Sequence, residues 1–320
     1  MPKILHRIFF NFDDGPDPFL PFLETWKKEL PDFKIMEWNK HNLPLDLNTY
    51  TKTLTKEKNH AFLSDYFRCW LLREYGGVYL DADIEILDGN IFRNIYNNAQ
   101  QNNDYSLFLG VESSKNGKLT AHSMGIKDNT FHPLLSFLMN LYENELSGPL
   151  HFALKYLDMP YLMSLYFLNK ERTLHYSDSK DGKFKYLNNP IITDGICIYP
   201  ASYFSPLTTY NNNLIVSSFD SNTCICHHFA ATWREDFNGI IRAKTFFQAL
   251  EDGEYYVDPK LIKELKLRYK DKKILYRKPQ WALKEKHVKT IEKVFNKLIP
   301  YGSPLFNFFK TKDVNKQTTL

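Results

Sequence analysis

The sequence lacks the features that mark several protein classes. It has few cysteines, and the four present follow no zinc-binding pattern; they are Cys69, Cys197, Cys224 and Cys226. Buried thiols in a reducing compartment are therefore expected. No apolar run reaches the ~18 residues that a membrane-spanning helix needs, and nothing resembling a signal peptide opens the chain. These absences predict a cytoplasmic protein.

Motifs of common nucleotide-using and hydrolytic enzymes are also missing. No Gly-x-Gly-x-x-Gly follows the first predicted strand and no Walker loop occurs, which disfavours classical dinucleotide-binding and P-loop proteins. No Gly-x-Ser-x-Gly nucleophile elbow is present, and the chain has no internal repeat. Other motifs must therefore indicate the function of the protein.

The net charge of +4 conceals two regions of opposite charge. Residues 260–320 contain 17 Lys/Arg and 5 Asp/Glu (+12), so residues 1–259 carry the remaining 24 against 32 (−8). We predict an acidic main domain over residues 1–259 and a basic, aromatic, helical extension over residues 260–320. The extension is either a packed appendage with a solvated lysine face or a peripheral anchor on an anionic membrane surface. Its aromatics do not form a recognisable nucleic-acid-binding module.

Apolar alternation predicts an α/β fold. Residues 3–11 and 33–38 have the pattern of strands, and residues 18–30 between them have helical periodicity. A strand, a helix and a second strand in this order are typical of a doubly wound, mostly parallel sheet. Later strands are expected at 105–112, 121–126, 196–199 and 214–217, and helices at 91–102, 133–142 and 150–168.

The most informative stretch is residues 61–87, AFLSDYFRCWLLREYGGVYLDADIEIL. Its first half has apolar residues at helical spacing, and Gly76-Gly77 ends the helix because glycine adopts left-handed conformations without strain. Beyond the glycines the period changes to two, which predicts a strand from Val78 to Ile86. One face of this strand would carry Tyr79, Asp81, Asp83 and Glu85.

Asp81 and Asp83 form an Asp-x-Asp motif at the end of this apolar strand. Ligands of open α/β sheets bind beyond the carboxyl ends of strands, and paired carboxylates suit a hard divalent cation such as Mg²⁺ or Mn²⁺. The alternative is a solvated strand end that caps a neighbouring helix. The bare motif arises readily by chance, and its position favours a metal site.

Two further groups accompany the motif. Asp65 and Arg68 lie one helical turn apart, so their side chains share a face of the helix. They form either an ordinary surface ion pair or a pair that binds sugar hydroxyls. His227 and His228 follow a short apolar strand, and neutral imidazole is a good ligand for transition metals. Because neighbouring strand residues face opposite ways, at most one of these histidines is expected to reach a metal.

Several ordered blocks resemble the DXD-containing glycosyltransferases that include bacterial capsular-polysaccharide sugar transferases and the yeast initiating α-1,6-mannosyltransferase. The catalytic domains of the large clostridial toxins are more distantly similar. The blocks fall within roughly residues 1–240 and comprise PKILHRIFF at 2–10, Trp26, Pro31, Trp38, SDYFR at 64–68, YGGVYLDAD at 75–83 and HHFAATW at 227–233. A fainter block, Ser147-Gly148-Pro149, stands where the family has Thr-Gly-Pro.

The resemblance implies a GT-A type fold that binds a nucleotide-sugar and a divalent metal, Mn²⁺ or Mg²⁺. It implies metal ligation by Asp81, Asp83 and His227, with His227 preferred over His228. The implied donor-binding residues are Ile8, Phe9, Phe10, Asp65, Arg68, Tyr79, Asp81, Ala82 and Trp233, and the implied catalytic residues are Asp65, Arg68, Asp83 and Trp233. Phe9 stands where relatives stack an aromatic on the nucleobase, and Thr232 replaces the usual Ser before Trp233.

The function implied is metal-dependent transfer of a hexose or N-acetylhexosamine to a saccharide acceptor in bacterial capsule or lipooligosaccharide synthesis. The resemblance also implies retention at the anomeric carbon. Because no second carboxylate is evident as a nucleophile, same-face attack is the preferred mechanism. UDP is favoured as the nucleotide, while the sugar, acceptor, linkage and oligomeric state stay open. A lipid-linked acceptor would suit the basic extension. Two alternatives remain: an effector that glycosylates a host protein, and a non-catalytic sugar-nucleotide-binding protein.

Overall fold

The computed structural model describes residues 3–113, 115, 117–127, 132–145, 158–170, 184–210, 213–230, 244–270 and 274–277. The strands in these ranges are β1 Ile4–Ile8, β2 Lys34–Trp38, β3 Gly77–Asp81, β4 Ile84–Ile86, β5 Leu107–Ser113, β6 Lys118–Ile126, β7 Ile191–Thr193, β8 Ile196–Tyr199, β9 Leu207–Tyr210, β10 Asn213–Val216, β11 Ile225–His227 and β12 Tyr256–Val257. The α-helices are α1 Leu20–Glu29, α2 Thr49–Lys56, α3 His60–Tyr75, α4 Gly89–Gln101, α5 Pro133–Asn140, α6 Met159–Lys170, α7 Ala201–Phe204, α8 Phe246–Glu251 and α9 Ile262–Arg268. A π-helical turn, Leu141–Glu145, follows α5, and a 3-10 turn, Pro259–Leu261, precedes α9.

A seven-stranded sheet forms the centre of the protein, in the order β2-β1-β3-β6-β5-β8-β7. Strands β2, β1, β3, β5 and β8 run in one direction, and β6 and β7 run against them. Helices α2, α3, α5 and α6 cover one face, and α1, α4 and α7 cover the other. The predicted α/β fold, with a doubly wound and mostly parallel sheet, is confirmed.

Alternating side chains of β3 supply both layers of this core. Val78 and Leu80 pack into the cluster on the α1 and α4 side, while Tyr79 packs into the cluster on the α3 side. All three side chains are buried. The four cysteines are buried and unpaired, as predicted.

The continuous strand predicted from Val78 to Ile86 is wrong, because a turn at residues 82–83 divides it into β3 and β4. Strand β3 pairs with β1 and β6 in the large sheet, whereas β4 pairs with β11 in a separate two-stranded sheet. Period-two alternation does not reveal the break, since Ala82 and Asp83 fit the alternation without belonging to a strand. The break places Glu85 in a different sheet from Asp81.

A buried histidine holds the Gly76-Gly77 junction against β1. The Nε2–H of His6 donates to the Gly76 carbonyl oxygen at 2.8 Å, and its Nδ1 accepts from the indole N–H of Trp38 at 3.1 Å. These two bonds fix the neutral tautomer of the ring. Burial lowers the pKa of His6 to about 4, although the bond to Gly76 raises it.

His6 is expected to make stability depend on pH. Its folded pKa lies below the unfolded value of 6.5, so the unfolded chain binds the extra proton and stability falls as pH drops from 6.5 toward 4. The full contribution is about 3 kcal/mol at ~1.36 kcal/mol per pKa unit. Urea unfolding at about pH 7 and pH 5 should show a smaller difference in His6→Gln than in the wild type.

The exposed His41 provides the matched control for this measurement. His41→Gln should retain the pH dependence of the wild type, because the His41 side chain is exposed and lies outside the buried junction that His6 holds. An equal pH dependence in His6→Gln and the wild type would contradict the role of the buried ring.

The described part of the predicted extension packs against the preceding domain. Leu265 of α9 is buried in a cluster with Leu250 and Val257, and Arg268 donates to the Thr223 carbonyl oxygen at 2.7 Å. Residues 278–320 lie outside the described residues, so the boundary at residue 260 and the membrane role stay predictions. Every helix in the described ranges is too short or too polar to span a membrane.

Candidate active site

Strand β3 carries Asp81 to the carboxyl edge of the sheet. Asp81 ends this strand and is paired with Ile8, the last residue of β1. Phe9 and Phe10 follow Ile8 directly, so the predicted donor-binding residues of both strands share one edge. Ile8 and Phe10 are buried, and the half-buried Phe9 ring lies 5.6 Å from the guanidinium of Arg7.

Strand β11 brings His227 to the turn that carries Asp83. His227 is paired with Ile84 in the antiparallel β4–β11 sheet, and its Nε2 lies 3.4 Å from Oδ2 of Asp83. The same carboxylate oxygen accepts the backbone N–H of Ala230 at 2.9 Å. Potential ligand atoms of Asp81, Asp83 and His227 all lie within 4.8 Å of one another. The structure therefore brings the three predicted metal ligands together.

A divalent cation fits this group. Two carboxylates and one imidazole form a donor set suited to Mn²⁺ and related metals. The Nδ1 atom of His227 is buried and has no hydrogen-bond partner in the described part of the chain. Because buried polar atoms in proteins nearly always have a partner, this nitrogen is available for a further contact such as a bound ligand.

Asp83 and His227 stabilise each other's charged forms. Burial alone would raise the pKa of the Asp83 carboxyl, but the His227 imidazole and the Ala230 N–H hold it below its usual value. Burial opposes protonation of His227, yet the Asp83 carboxylate raises the pKa of this imidazole above its usual value. With Asp81 alongside, the group keeps a net negative charge even when His227 is protonated, and it therefore favours a cation.

Arg68 joins Asp65 to the metal-binding candidate Asp81. Its Nη2 lies 2.9 Å from Oδ1 of Asp65 and 3.4 Å from Oδ1 of Asp81. Its Nη1 donates to the Ala121 carbonyl oxygen at 2.7 Å, and its guanidinium lies 4.8 Å from the centre of the Tyr79 ring. Arg68 is only 5% exposed, so the pair with Asp65 is not an ordinary surface ion pair. Contact with a sugar stays a prediction.

The two oxygens of Asp81 have different surroundings. Oδ1 accepts the Tyr79 hydroxyl at 2.6 Å and also faces Arg68. Oδ2 has no such contact with any described residue and stays available to a ligand. Nearby, burial raises the pKa of the Asp65 carboxyl to about 6, although Arg68 lowers it.

Glu85 and His228 point away from the group formed by Asp81, Asp83 and His227, and they pair with each other. His228 Nε2 lies 2.9 Å from Oε2 of Glu85, and its Nδ1 lies 3.1 Å from the Tyr255 hydroxyl. The backbone N–H of Phe246 donates to the same Glu85 oxygen at 2.6 Å, and the His228 ring stacks on Phe22 at 4.2 Å. This buried network fastens β11 to β4 and to the start of α8. Sequence analysis left both residues unassigned because 143 positions separate them.

Two residues near the site, the buried His122 and the half-buried Glu112, have no signal in the sequence. The His122 ring packs 4.3 Å from that of His227, and its nitrogens contact the hydroxyls of Ser123 and Ser205. Burial holds the pKa of His122 well below its usual value, so the ring is neutral. Glu112 follows the buried part of β5, and desolvation raises the pKa of its carboxyl. Neither residue stands in a recognisable spacing pattern, which explains why sequence reasoning missed them.

Trp233, Thr232 and the Ser147-Gly148-Pro149 block lie outside the described residues. Ala82 lies half-buried in the turn between β3 and β4. The roles assigned to these residues stay predictions.

Solved structures similar to this chain include three glycosyltransferases. PaToxG glycosyltransferase is 13% identical, with coverage of 53% of this chain and 70% of that chain and a TM-score of 0.40. A glycosyltransferase involved in glycosylation of the PBCV-1 major capsid is 9% identical, with coverage of 72% and 95% and a TM-score of 0.36. The galactosyltransferase LgtC is 14% identical, with coverage of 74% and 91% and a TM-score of 0.32.

A family model gives the more specific comparison. Residues 16–105 match a family described as a glycosyltransferase sugar-binding region containing a DXD motif. The matched residues include Asp65, Arg68, Asp81 and Asp83. No curated protein matches the chain in sequence. The family match confirms the resemblance predicted from the sequence.

Proposed function

We propose that this enzyme, a glycosyltransferase with a DXD motif, moves a hexose or N-acetylhexosamine from a nucleotide-sugar to a saccharide acceptor in a metal-dependent reaction. The observation that carries the proposal is the convergence of Asp81, Asp83 and His227 at the carboxyl edge of the sheet. UDP is the favoured nucleotide, and bacterial capsule or lipooligosaccharide synthesis is the proposed setting. The LgtC structure contains donor and acceptor sugar analogues, and we propose the same two kinds of substrate here.

Each residue of the site has a definite part in this proposal. Asp81, Asp83 and His227 would hold Mn²⁺ or Mg²⁺ against the donor diphosphate. When bound, the cation supplies positive charge that stabilises the diphosphate as it leaves. Arg68 fixes the positions of Asp65 and Asp81 through its buried contacts, and Asp65 would contact the donor sugar. Phe9 is the proposed platform for the nucleobase.

We infer that the reaction retains configuration through same-face attack. The bond from the anomeric carbon to the diphosphate oxygen breaks, the acceptor oxygen bonds to the same face, and the acceptor proton passes to the departing diphosphate. A double displacement would need a free carboxylate as nucleophile. Asp65 is poorly suited to that role, because Arg68 contacts it at 2.9 Å and burial raises its pKa to about 6.

A lipid-linked acceptor at an anionic membrane surface forms part of the proposal. Residues 260–320 carry 17 Lys/Arg and 5 Asp/Glu, a balance that attracts anionic headgroups. The same extension gives no indication of nucleic-acid binding. The enzyme would then act at the inner face of the cytoplasmic membrane.

Thermal unfolding with a panel of nucleotide-sugars, with Mn²⁺ and with EDTA, tests the proposed function. The panel contains UDP-galactose, UDP-glucose, UDP-N-acetylhexosamines and GDP-mannose. A donor at about 100 times its Kd should stabilise the protein by about 2.7 kcal/mol through mass action. We expect this shift for a UDP-sugar with Mn²⁺ and its loss with EDTA.

Donor hydrolysis in the same samples separates an enzyme from a binding protein. Release of free sugar with the stabilising donor is the expected result. Stabilisation without hydrolysis or transfer would favour the non-catalytic alternative. Absence of any Mn²⁺-dependent shift would contradict the metal-dependent donor site.

A further inference from the structure

A cavity of about 640 Å³ lies between α4 and the outer strands β7 and β8. It lies away from Asp81, Asp83 and His227, called here the DXD group. Its walls come from α4, from β8 and from the segments around them, and they include none of the candidate active-site residues. None of the described residues that line it is charged, although charged residues make up 24% of the chain. The cavity is therefore an uncharged recess in a protein otherwise rich in charge.

The α4 wall of this recess is rich in amide side chains. Five of the last eight residues of α4, from 94 to 101, are Asn or Gln, and Asn94, Asn98 and Gln101 recur at helical spacing along the recess. Asparagine is a poor helix former, and exposed helix faces ordinarily carry Lys or Glu. The need for a stable helix therefore does not explain these amide residues. Residues that are unfavourable for the local secondary structure are expected at binding sites.

The opposite wall supplies aromatic and apolar surface. The half-buried Tyr203 lines it, while Tyr105 and Tyr199, each only 5% exposed, contribute little surface. The rings of Tyr199 and Tyr203 lie 5.1 Å apart. Ile192 adds apolar surface and is 47% exposed. Aromatic rings pack against the apolar faces of other rings while their hydroxyls form hydrogen bonds.

The chemistry of these walls selects a class of ligand. Primary amides both donate and accept hydrogen bonds, as sugar hydroxyls do, and tyrosine rings suit the C–H faces of sugars. The absence of cationic side chains from the described lining disfavours phosphates, anionic glycans and nucleic acids, which need Lys or Arg. A neutral carbohydrate matches all three features.

We propose that the recess between α4 and β8 binds a stretch of neutral oligosaccharide, at a site separate from the transfer site. The proposal rests on the proposed function in one respect, since the bound chain would be a distal part of the acceptor glycan. A second contact of this kind raises the effective concentration of the acceptor end at the transfer site.

Affinity electrophoresis of the full chain tests the recess directly. Native gels would contain dextran, α-mannan or galactan as neutral polysaccharides, and hyaluronan as an anionic one. We expect retardation by at least one neutral polysaccharide that persists in high salt, whereas any retardation by hyaluronan through the basic extension should disappear there. Migration unaffected by all three neutral polysaccharides, or retardation by hyaluronan alone, would overturn the proposal.

The double variant Asn94→Ala/Asn98→Ala locates the binding. Alanine is a better helix former than asparagine, so the variant should fold, and its dissociation constant from the retarding polysaccharide should rise at least ~10-fold as two amide contacts are lost. The matched control is Asn97→Ala, an exposed position on the same helix outside the recess lining. Equal retardation of the double variant and the control would overturn the proposal.

Asp83→Asn separates this proposal from the proposed function. Retardation of Asp83→Asn should equal that of the wild type, because the recess lies apart from the DXD group. Loss of retardation in Asp83→Asn would place the bound glycan in the active site and overturn the second site. Failure of the nucleotide-sugar thermal shift with retardation intact would contradict the proposed function alone.

Discussion

Replacing Asp83 by asparagine should reduce sugar transfer on the order of 10³-fold while leaving the fold intact. Asparagine has nearly the same shape, and its side-chain oxygen can still accept the Ala230 N–H that now donates to Asp83 at 2.9 Å. The change removes the negative charge that lies 3.4 Å from His227 and completes the group with Asp81. Transfer and donor hydrolysis would be measured with Mn²⁺ in excess.

A second measurement shows whether the lost activity reflects lost cation and donor binding. The Mn²⁺-dependent thermal shift with a UDP-sugar should disappear in Asp83→Asn. The matched control is Asp46→Asn, which removes the same charge from an exposed position and should behave as the wild type. Turnover of Asp83→Asn within tenfold of the wild type would contradict the metal-site assignment.

The elements that sequence analysis predicted well are those that local pattern determines. Phe62, Tyr66, Cys69 and Leu72 have helical spacing in the sequence, and all four are buried on α3. The helix ends at Gly76, with φ of 64°, as expected where glycine accepts a left-handed backbone. Burial of one helical face and a glycine cap both depend on residues that are only a few positions apart. The periodicity of the sequence therefore predicts them.

The contacts that complete the site are long-range and have no local pattern. Alternation predicted that at most one of two adjacent histidines reaches a metal, and the structure places His227 beside Asp83 and His228 against Glu85. Alternation did not predict the turn at residue 82. The pairing of β4 with β11, rather than the period of the side chains, decides where β3 ends. Packing of His122 against His227 likewise depends on the position of β6 in the sheet.

Replacing Gly77 by alanine should destabilise the protein by about 3 kcal/mol, because the start of β3 has no room for a Cβ atom. The backbone of Gly77 has φ of +87°, and a Cβ there would lie 2.7 Å from the Ile4 carbonyl oxygen. A left-handed conformation costs an alanine ~1–2 kcal/mol, and forcing packed elements apart adds ~1–3 kcal/mol. Urea unfolding would measure the loss, which is large against a typical stability of ~5–15 kcal/mol.

Gly15→Ala is the matched control, since a Cβ at Gly15 meets no atom within 4 Å; its stability should stay within about 0.5 kcal/mol of the wild type. The Gly77 change should also weaken donor binding, because pushing β3 from β1 moves Asp81 away from Ile8, its partner at the carboxyl edge. A Gly77→Ala protein that matches Gly15→Ala in urea midpoint would contradict the close approach at Ile4. Loss of stability with an unchanged Mn²⁺-dependent thermal shift would instead show that the position of Asp81 does not depend on the β1–β3 junction.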